Sequence, residues 1–455
     1  MDAGMIDPEP TDADRYPTLS EHGASILRTM REHPHAPFYR NRSGNRLTAE
    51  DVERVREFEA ETMSTPAGWR PGQPPDWVPE LIAHCYADVP HYRALGAAPA
   101  RLSEVPPVSR AQLGRDIAQF VPDSVPIDRL INFRTSGTTG HPLLVASHPV
   151  VAASYLAFHK KALARFGITL RNGRGKVGVV ILGYQRECFT YVSVTPTMDD
   201  SGLAKINLHP TDWRDPEDRA RYVDALEPEV LAGDPISYAE LLNISLRWKP
   251  RALLCTSMAL SPALRAELTK RFECPVLDLY SLNEAGPVGV ADAGVGGHVL
   301  LQHRLYVEIL DPTGKPQPPG ERGEITLTGG FNFCLPLLRY RTGDQAALAF
   351  HAGEPVLVGL EGRPPVRFRT SHGEWINNIE ITQVLRRLTL PQFCLYQSGD
   401  GALVLRHSGS ASLGPAIEAE LRRLFGATTA LEVRTDDFVD SKPVQYTSEL
   451  PNAQT

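Results

Sequence analysis

The chain has 455 residues, 42% of them hydrophobic, enough for a sizeable core and more than one domain. Its formal net charge of -7 comes from 54 acidic and 47 basic side chains with the signs interspersed, which excludes the basic field that nucleic acid or an anionic lipid surface would require. The acidic opening Met1-Asp2-Ala3-Gly4 lacks the basic and apolar regions of a secretory leader, and no apolar run is long enough to cross a bilayer. Six cysteines (Cys85, Cys188, Cys255, Cys274, Cys334, Cys394) show no C-x-x-C spacing, which suits reduced core thiols. A soluble cytoplasmic protein without nucleic-acid or membrane partners is expected.

Residues before about 46 are rich in Pro, His, Asp and Glu with little periodicity, and a loosely ordered extension is expected there. Over 48–63 the pattern turns helical, with Thr48 and Asp51 placed as a capping pair and Val52, Val55 and Phe58 on one side. The prolines of 65–75 forbid regular structure, and 79–86 reads as an amphipathic helix. Then comes Arg134-Thr135-Ser136-Gly137-Thr138-Thr139-Gly140-His141-Pro142. Two glycines three apart, with hydroxyl residues before and between them, offer several N–H and O–H donors to one anion. The lysine of a Walker loop is absent, and His141 stands after the second glycine.

Strands at 143–146, 177–182, 229–233, 252–256 and 275–280 alternate with helices at 150–164, 219–226, 235–246 and 262–272. The run Val177-Gly178-Val179-Val180-Ile181-Leu182 suits a strand covered on both faces. Such alternation predicts βαβ crossovers, a largely parallel sheet, and ligands gathered beyond the strand ends after Phe133, Leu182, Thr256 and Tyr280. From 303 the texture changes to alternating strands at 305–310 and 324–328 joined by turns, which predicts a small β subdomain over about 303–350. Beyond 363 strands near 366–369, 393–397 and 403–407 and helices near 379–388 and 415–425 form a compact unit, with Ile417, Leu421, Leu424 and Phe425 as an inward stripe. The expected fold is α/β. An N-terminal extension and helix (1–78) precede a large domain of mostly parallel sheets flanked by helices (79–362), followed by a small α+β C-terminal lid (363–455).

Four segments occur in a telling order: the glycine loop, Tyr280-Ser281-Leu282-Asn283-Glu284, Leu335-Pro336-Leu337-Leu338-Arg339-Tyr340-Arg341-Thr342-Gly343-Asp344, and Gly362-Arg363. Together they resemble the adenylate-forming superfamily of acyl-CoA synthetases, adenylation domains and luciferases, and most of all its phenylacetate-CoA ligase branch, over about 81–446. The resemblance implies an ATP-dependent, Mg²⁺-requiring enzyme that adenylates a small, aryl-bearing carboxylic acid, releases pyrophosphate, and passes the acyl group to a thiol of CoA or a carrier-protein arm.

Attack of a carboxylate on the α-phosphate brings two anions together, so the site must neutralise charge. By resemblance, Ser136, Gly137, Thr138, Thr139 and Gly140 hold the phosphates, with Thr138 beside the reacting centre, and Glu284 binds Mg²⁺, a hard ion that takes oxygen ligands. Tyr280 offers a flat ring to adenine, with Asn283 beside it. Asp344 accepts from the ribose hydroxyls, and Arg363 reaches the ribose or the α-phosphate. Lys442, in Asp440-Ser441-Lys442-Pro443-Val444, stands where relatives bring a lysine to bridge carboxylate and phosphate. Tyr184, Arg186 and Phe189, in Tyr184-Gln185-Arg186-Glu187-Cys188-Phe189-Thr190, correspond to the acyl pocket, although buried charge there would need partners.

The chain also departs from the family pattern. Asn283 stands for Thr or Ser, Ser281 for Gly and His141 for Lys. Pro364-Pro365 replaces the flexible hinge with residues that fix φ, and Ser371-His372-Gly373-Glu374-Trp375 fits poorly to the loop that admits CoA. These departures leave two further readings open: an adenylate-forming enzyme with an unconventional substrate or acceptor (amide formation, or nitrite activation beside an aryl amine), and a catalytically silent nucleotide-binding protein.

Overall fold

The structure is a computed structural model that describes residues 10–70, 72–134, 143–171, 173, 176–361, 366–385, 388, 393–407, 410–436, 445–451 and 453. Strands of branched and aliphatic residues pair into one mixed sheet of 13 strands. Its parallel half runs Ser201–Asn207, Val177–Gly183, Val230–Gly233, Ala252–Cys255, Val276–Leu282. Ala252–Cys255 is buried at every position, as a strand covered on both faces must be. The intervening helices include Asp218–Leu226, Pro235–Leu241 and Pro262–Phe272, two of which begin with proline at the first turn behind a capping side chain (Asp234, Ser261).

At Val276–Leu282 the sheet changes sense. Leu282 pairs with Gly286, so Asn283, Glu284 and Ala285 form a three-residue connection into Gly286–Asp292, which runs antiparallel. Gly286 has φ +70°, and a side chain there would meet the Phe331 ring at 2.4 Å, so only glycine serves at this corner. The sheet then continues antiparallel through Gly297–Leu300, Glu354–Glu361, Leu337–His351, Arg322–Gly329 and Leu305–Leu310. The strands expected as a β subdomain are thus the far half of the same sheet. The short strand Val108–Ser109 joins it by pairing parallel with Tyr340 and Arg341.

The N-terminal residues correct the expectation of a loose extension. Glu21–Glu32 is a helix capped by Ser20, and it lies against Tyr191–Thr195 and Ser201–Asn207. Tyr16, Leu27, Met30 and Ala36 are buried in the core of the parallel half. Polar composition concealed these apolar contacts, because one face of a helix suffices to dock it. The helix Ala49–Ser64 begins as its sequence predicts, with Thr48 and Asp51 exchanging hydrogen bonds in a capping box.

Residues from 366 onward build a separate core. Four strands in the order Leu431–Thr435, Leu403–His407, Phe393–Gln397, Tyr446–Ser448 pack with the helices Asn378–Leu385 and Gly414–Phe425. Ile417, Leu421, Leu424 and Phe425 form the buried stripe. The Gly362-Arg363-Pro364-Pro365 junction lies outside the described residues, among which no helix is long and apolar enough to cross a membrane.

If the N-terminal helix is part of the core, Leu27→Ala should cost about 2–5 kcal/mol, read as a lower urea midpoint at unchanged slope. Arg28→Ala on its exposed face should stay within about 0.5 kcal/mol. Equal, negligible effects would mean that this segment adds nothing to the fold.

Candidate active site

Tyr280, Asn283, Glu284 and Asp344, four of the residues singled out from sequence, line one cleft of about 300 Å³ together with Arg110, Tyr340 and Thr342. The sheet geometry explains the convergence. Tyr280 stands near the carboxyl end of the last parallel strand, and Glu284 on the tight connection that follows it. Asp344 comes from the neighbouring region of Leu337–His351, where the ladder to Arg322–Gly329 is irregular: Arg341 opposes Thr326 and Gln345 opposes Glu324, so three residues, 342–344, face Ile325 alone. Gly343 has φ +75° at this bulge. Thr342 Oγ1 donates to the Ile325 carbonyl at 2.9 Å, the Gly343 amide donates to Glu324 Oε1 at 2.8 Å, and the Asp344 amide donates to Thr342 Oγ1 at 3.1 Å. Thr-Gly-Asp is therefore a locked bulge that aims a carboxylate into the cleft.

The Tyr280 hydroxyl donates to Asp344 Oδ2 at 3.0 Å. Burial, with the Asp344 charge adding to it, pushes this phenol well above its ordinary range, so it stays a donor. Glu284 is only 2% exposed. The Tyr340 hydroxyl donates to its Oε1 at 2.8 Å, and Arg110 Nη1 forms an ion pair with the same oxygen. Burial and the adjacent Glu284 likewise hold the Tyr340 phenol far above its usual value.

Sequence alone gives Arg110 no functional role; it lies in Pro106-Pro107-Val108-Ser109-Arg110, which is similar to an opening segment of the family. Its position follows from Val108–Ser109 pairing beside Tyr340, and from Ser109, which caps the helix Arg110–Arg115 in a box with Gln112. It is the functional candidate that sequence reasoning missed, and Tyr340 was read only as part of a motif.

The glycine loop residues Ser136, Gly137, Thr138, Thr139 and Gly140 lie outside the described residues, as do Arg363 and Lys442. The strands on either side of the loop are described. Ile131–Arg134 pairs antiparallel with Leu144–Ser147, and Leu143 and Val145 are buried in the same core as Tyr280 and Ala285. The loop thus joins two strands rooted beside the cleft.

A family described as AMP-binding enzyme matches residues 125–333. Among curated proteins, the phenylacetate-coenzyme A ligase of Aromatoleum evansii is 26% identical over 292 residues, covering 59% of this chain and 64% of the relative. That of Thermus thermophilus is 28% identical over 307 residues, covering 60% and 64%. Residues 125–333 thus match that AMP-binding family, and the chain is similar to phenylacetate-coenzyme A ligases over about 60% of its length. It spans just under two thirds of the length of the curated relatives it matches. The fold is similar to that of a solved structure: a crystal structure of 2-hydroxyisobutyryl-CoA ligase with 2-HIB-AMP and CoA aligns over 89% of this chain and 91% of that one, with TM-score 0.53 at 17% identity.

Within this fold, the segment expected to wall a substrate pocket has a different setting. Tyr184 packs against Ile236 and Met258, and Met258 lines the cleft, so Tyr184 touches the site's wall. Arg186 and Phe189 are not brought to the cleft. Phe189 is 54% exposed and meets Tyr191 edge-on. Arg186 lies 3.7 Å from Glu374 and 3.8 Å from Glu380, both in the C-terminal unit. Gln383 donates to Gln185 Oε1 and to the Glu187 carbonyl, each at 2.6 Å, and Asn377 Nδ2 reaches the Tyr184 carbonyl at 3.4 Å. The charged residues found at 184–189 are explained by this contact: they seat the C-terminal unit. Cys188 is buried against Gly183, which supports its reading as a packing residue.

As a test for Mg²⁺, the described residues hold no group of three or more His, Cys, Asp or Glu that would cage a metal by themselves. One buried carboxylate, Glu284, suits an ion that takes its other ligands from phosphate oxygens and water.

Two predictions follow from the charges in this cleft. Arg110→Ala strands a buried carboxylate and should cost about 3–5 kcal/mol of stability, while Glu284→Gln in the same background should restore a large part. Additive losses in urea unfolding would show that the two groups do not interact. Asp278, which also lines the cleft and lies 3.5 Å from Arg265, is raised to about 6, chiefly by burial. A carboxyl whose folded value exceeds its unfolded one destabilises the fold when ionised, so the penalty is full above pH 6 and fades as pH falls towards 4. Asp278→Asn should therefore raise the melting temperature at pH 8, by the equivalent of at most about 3 kcal/mol, and leave it unchanged near pH 4. The same gain at both pH values would contradict the assignment.

Proposed function

We propose that the chain is an AMP-forming acid-thiol ligase. With ATP and Mg²⁺ it adenylates a small aryl-bearing carboxylic acid, releases pyrophosphate, and hands the acyl group to a thiol of CoA or a carrier-protein arm. The observation that carries this reading is the convergence of Tyr280, Glu284 and Asp344 on one cleft from segments far apart in the chain. The aryl preference and the CoA acceptor are supported by the names of the relatives, phenylacetate-coenzyme A ligases.

In this reading the substrate carboxylate forms a bond to the α-phosphorus as the bond to pyrophosphate breaks, and the site's task is to place and neutralise the two anions. Asp344 accepts from the ribose hydroxyls on its locked bulge, while Tyr280, tied to Asp344, presents its ring to the base. Glu284 would hold Mg²⁺, which supplies charge neutralisation at the phosphates when bound. Arg110, beside Glu284, adds a fixed positive charge at the same end. Ser136, Gly137, Thr138, Thr139 and Gly140 cradle the phosphates, Arg363 reaches the ribose or α-phosphate, and Lys442 bridges carboxylate and phosphate. The domains assigned are 79–362 for the nucleotide-binding body and 363–455 for the lid.

The test is acid-dependent exchange of label between pyrophosphate and ATP over a panel of aryl and alkyl acids, with nitrite included. Exchange should appear with an aryl acid and fall at least 100-fold in Asp344→Ala and in Lys442→Ala. Exchange with nitrite alone would replace the substrate assignment, and none with any acid would overturn the activity. A Lys442→Ala enzyme within a few-fold of wild type would remove that lysine from the mechanism.

A further inference from the structure

Glu284 stands on a three-residue connection that other elements grip by its backbone. Gln302 Nε2 donates to the Ala285 carbonyl at 2.6 Å and to the Pro287 carbonyl at 2.8 Å. Both partners are acceptors, so the amide can face them only with its nitrogen, and both of its hydrogens are used. From the helix Pro149–Arg165, the Tyr155 hydroxyl donates to the Asn283 carbonyl at 3.2 Å. The carbonyls on either side of Glu284 are therefore each held by a side chain from another element. Backbone pairing alone does not do this: Pro287 has no amide hydrogen, and the register against Val276–Leu282 shifts between Pro287 and Gly289.

Each grip is itself anchored. Gln302 follows the strand Gly297–Leu300, and the Leu301 amide donates to the Val288 carbonyl at 3.0 Å, which carries the ladder up to Gln302. Gln302 is 2% exposed, yet its own carbonyl oxygen has no partner among the described residues. An apolar side chain of that shape would avoid an unmade buried acceptor, so what the amide contributes is its pair of donors to the connection. The Tyr155 ring lies edge-on to Phe331, 5.1 Å between centroids, and Phe331 meets Phe158 at 5.0 Å. Burial, with the Glu284 charge adding to it, pushes the Tyr155 phenol above its ordinary range and keeps it a donor. Its helix begins just after Leu144–Ser147, the strand that leaves the glycine loop, so Tyr155 links the hairpin of that loop to the Glu284 connection.

We propose that Gln302 and Tyr155 are positioning residues for Glu284. Holding the carbonyls before and after it, they fix where its carboxylate stands. Neither lines the cleft, so both act through Glu284 and not on a ligand. Oε1 of Glu284 is taken by Arg110 and the Tyr340 hydroxyl, and Oε2 receives no hydrogen bond from the described residues, which suits it to a cation. The consequence for Mg²⁺ rests on the role of Glu284 proposed above.

Two measurements on the full chain keep the clamp and the metal role apart. Crystals of Gln302→Met, an apolar side chain of similar length, should show the Glu284 carboxylate moved by about 1 Å, out of hydrogen-bond reach of the Tyr340 hydroxyl. A carboxylate found in its wild-type place in both Gln302→Met and Tyr155→Phe overturns the clamp. Uptake of Mn²⁺ with ATP, read from the loss of the free Mn²⁺ electron paramagnetic resonance signal, needs no turnover. Gln302→Met and Tyr155→Phe should each weaken it about tenfold, while the KM for the acid in pyrophosphate exchange stays within about twofold of wild type. Tyr155→Phe keeps the ring and removes only the hydroxyl, so it decides the matter where Gln302→Met fails to fold. Unchanged Mn²⁺ uptake in Tyr155→Phe and Gln302→Met overturns the effect on the metal. Uptake that survives Glu284→Gln overturns the metal role of Glu284 itself, and the position of the carboxylate in the crystals then decides the clamp alone.

Discussion

The contact on which the cleft depends is the buried carboxylate of Glu284, held on one oxygen by Arg110 and the Tyr340 hydroxyl. A charge so deeply placed is tolerated only when it is paired and hydrogen-bonded. Each partner comes from a different part of the chain: Arg110 from the helix entered through Val108–Ser109, Glu284 from the corner after Val276–Leu282, and Tyr340 from Leu337–His351. Satisfying one carboxylate therefore fixes three elements at once. The pairing of Val108 with Tyr340 ties two of these elements through the backbone, so the ion pair and the strand register support each other.

The change of sense in the sheet supplies the second constraint. A parallel half leaves its strand ends open for ligands, whereas an antiparallel half returns through tight corners. Glu284 stands where one becomes the other, on a three-residue connection made possible by Gly286. Asp344 reaches the same space by a bulge rather than by a strand end, and its hydrogen bond from Tyr280 joins the two halves across the cleft.

Local sequence reported these features unevenly. The alternation of apolar runs with amphipathic stretches located four of the parallel strands, because periodicity reflects which faces are buried. Ser201–Asn207 was not expected, and the strand expected at 143–146 lies instead in an antiparallel pair with Ile131–Arg134. Thr48 and Asp51 marked a helix start for the same local reason, since the capping box needs only those two side chains. Tyr280, Glu284 and Asp344 were legible through the order of their motifs. Arg110 was not, because its role comes from a two-residue strand whose partner lies more than 200 positions away, and nothing local encodes that pairing. Thr342-Gly343-Asp344 reads as a turn, and its glycine does take a turn conformation. Only the register against Ile325 shows that it is a bulge inside a long strand. The N-terminal segment misled through composition: charged residues cover its outer face while Tyr16, Leu27, Met30 and Ala36 are buried in the core.

The segment 184–189 shows how a charged sequence in an apolar neighbourhood is resolved. Arg186 and Glu187 would be costly inside a pocket, and the structure instead spends them on the C-terminal unit, which brings Glu374, Glu380 and Gln383 to meet them. These contacts differ from those that hold the sheet together. Arg186 and Glu374 are largely exposed, and ion pairs of that kind contribute at most about 1 kcal/mol. Glu380 is buried, and that burial, only partly offset by Arg186, raises its proton affinity, so this acid gains little from the seat as a bare carboxylate. The C-terminal unit has a core of its own beside this seat. The seat touches the backbone of Tyr184, whose ring packs on Met258 at the cleft wall.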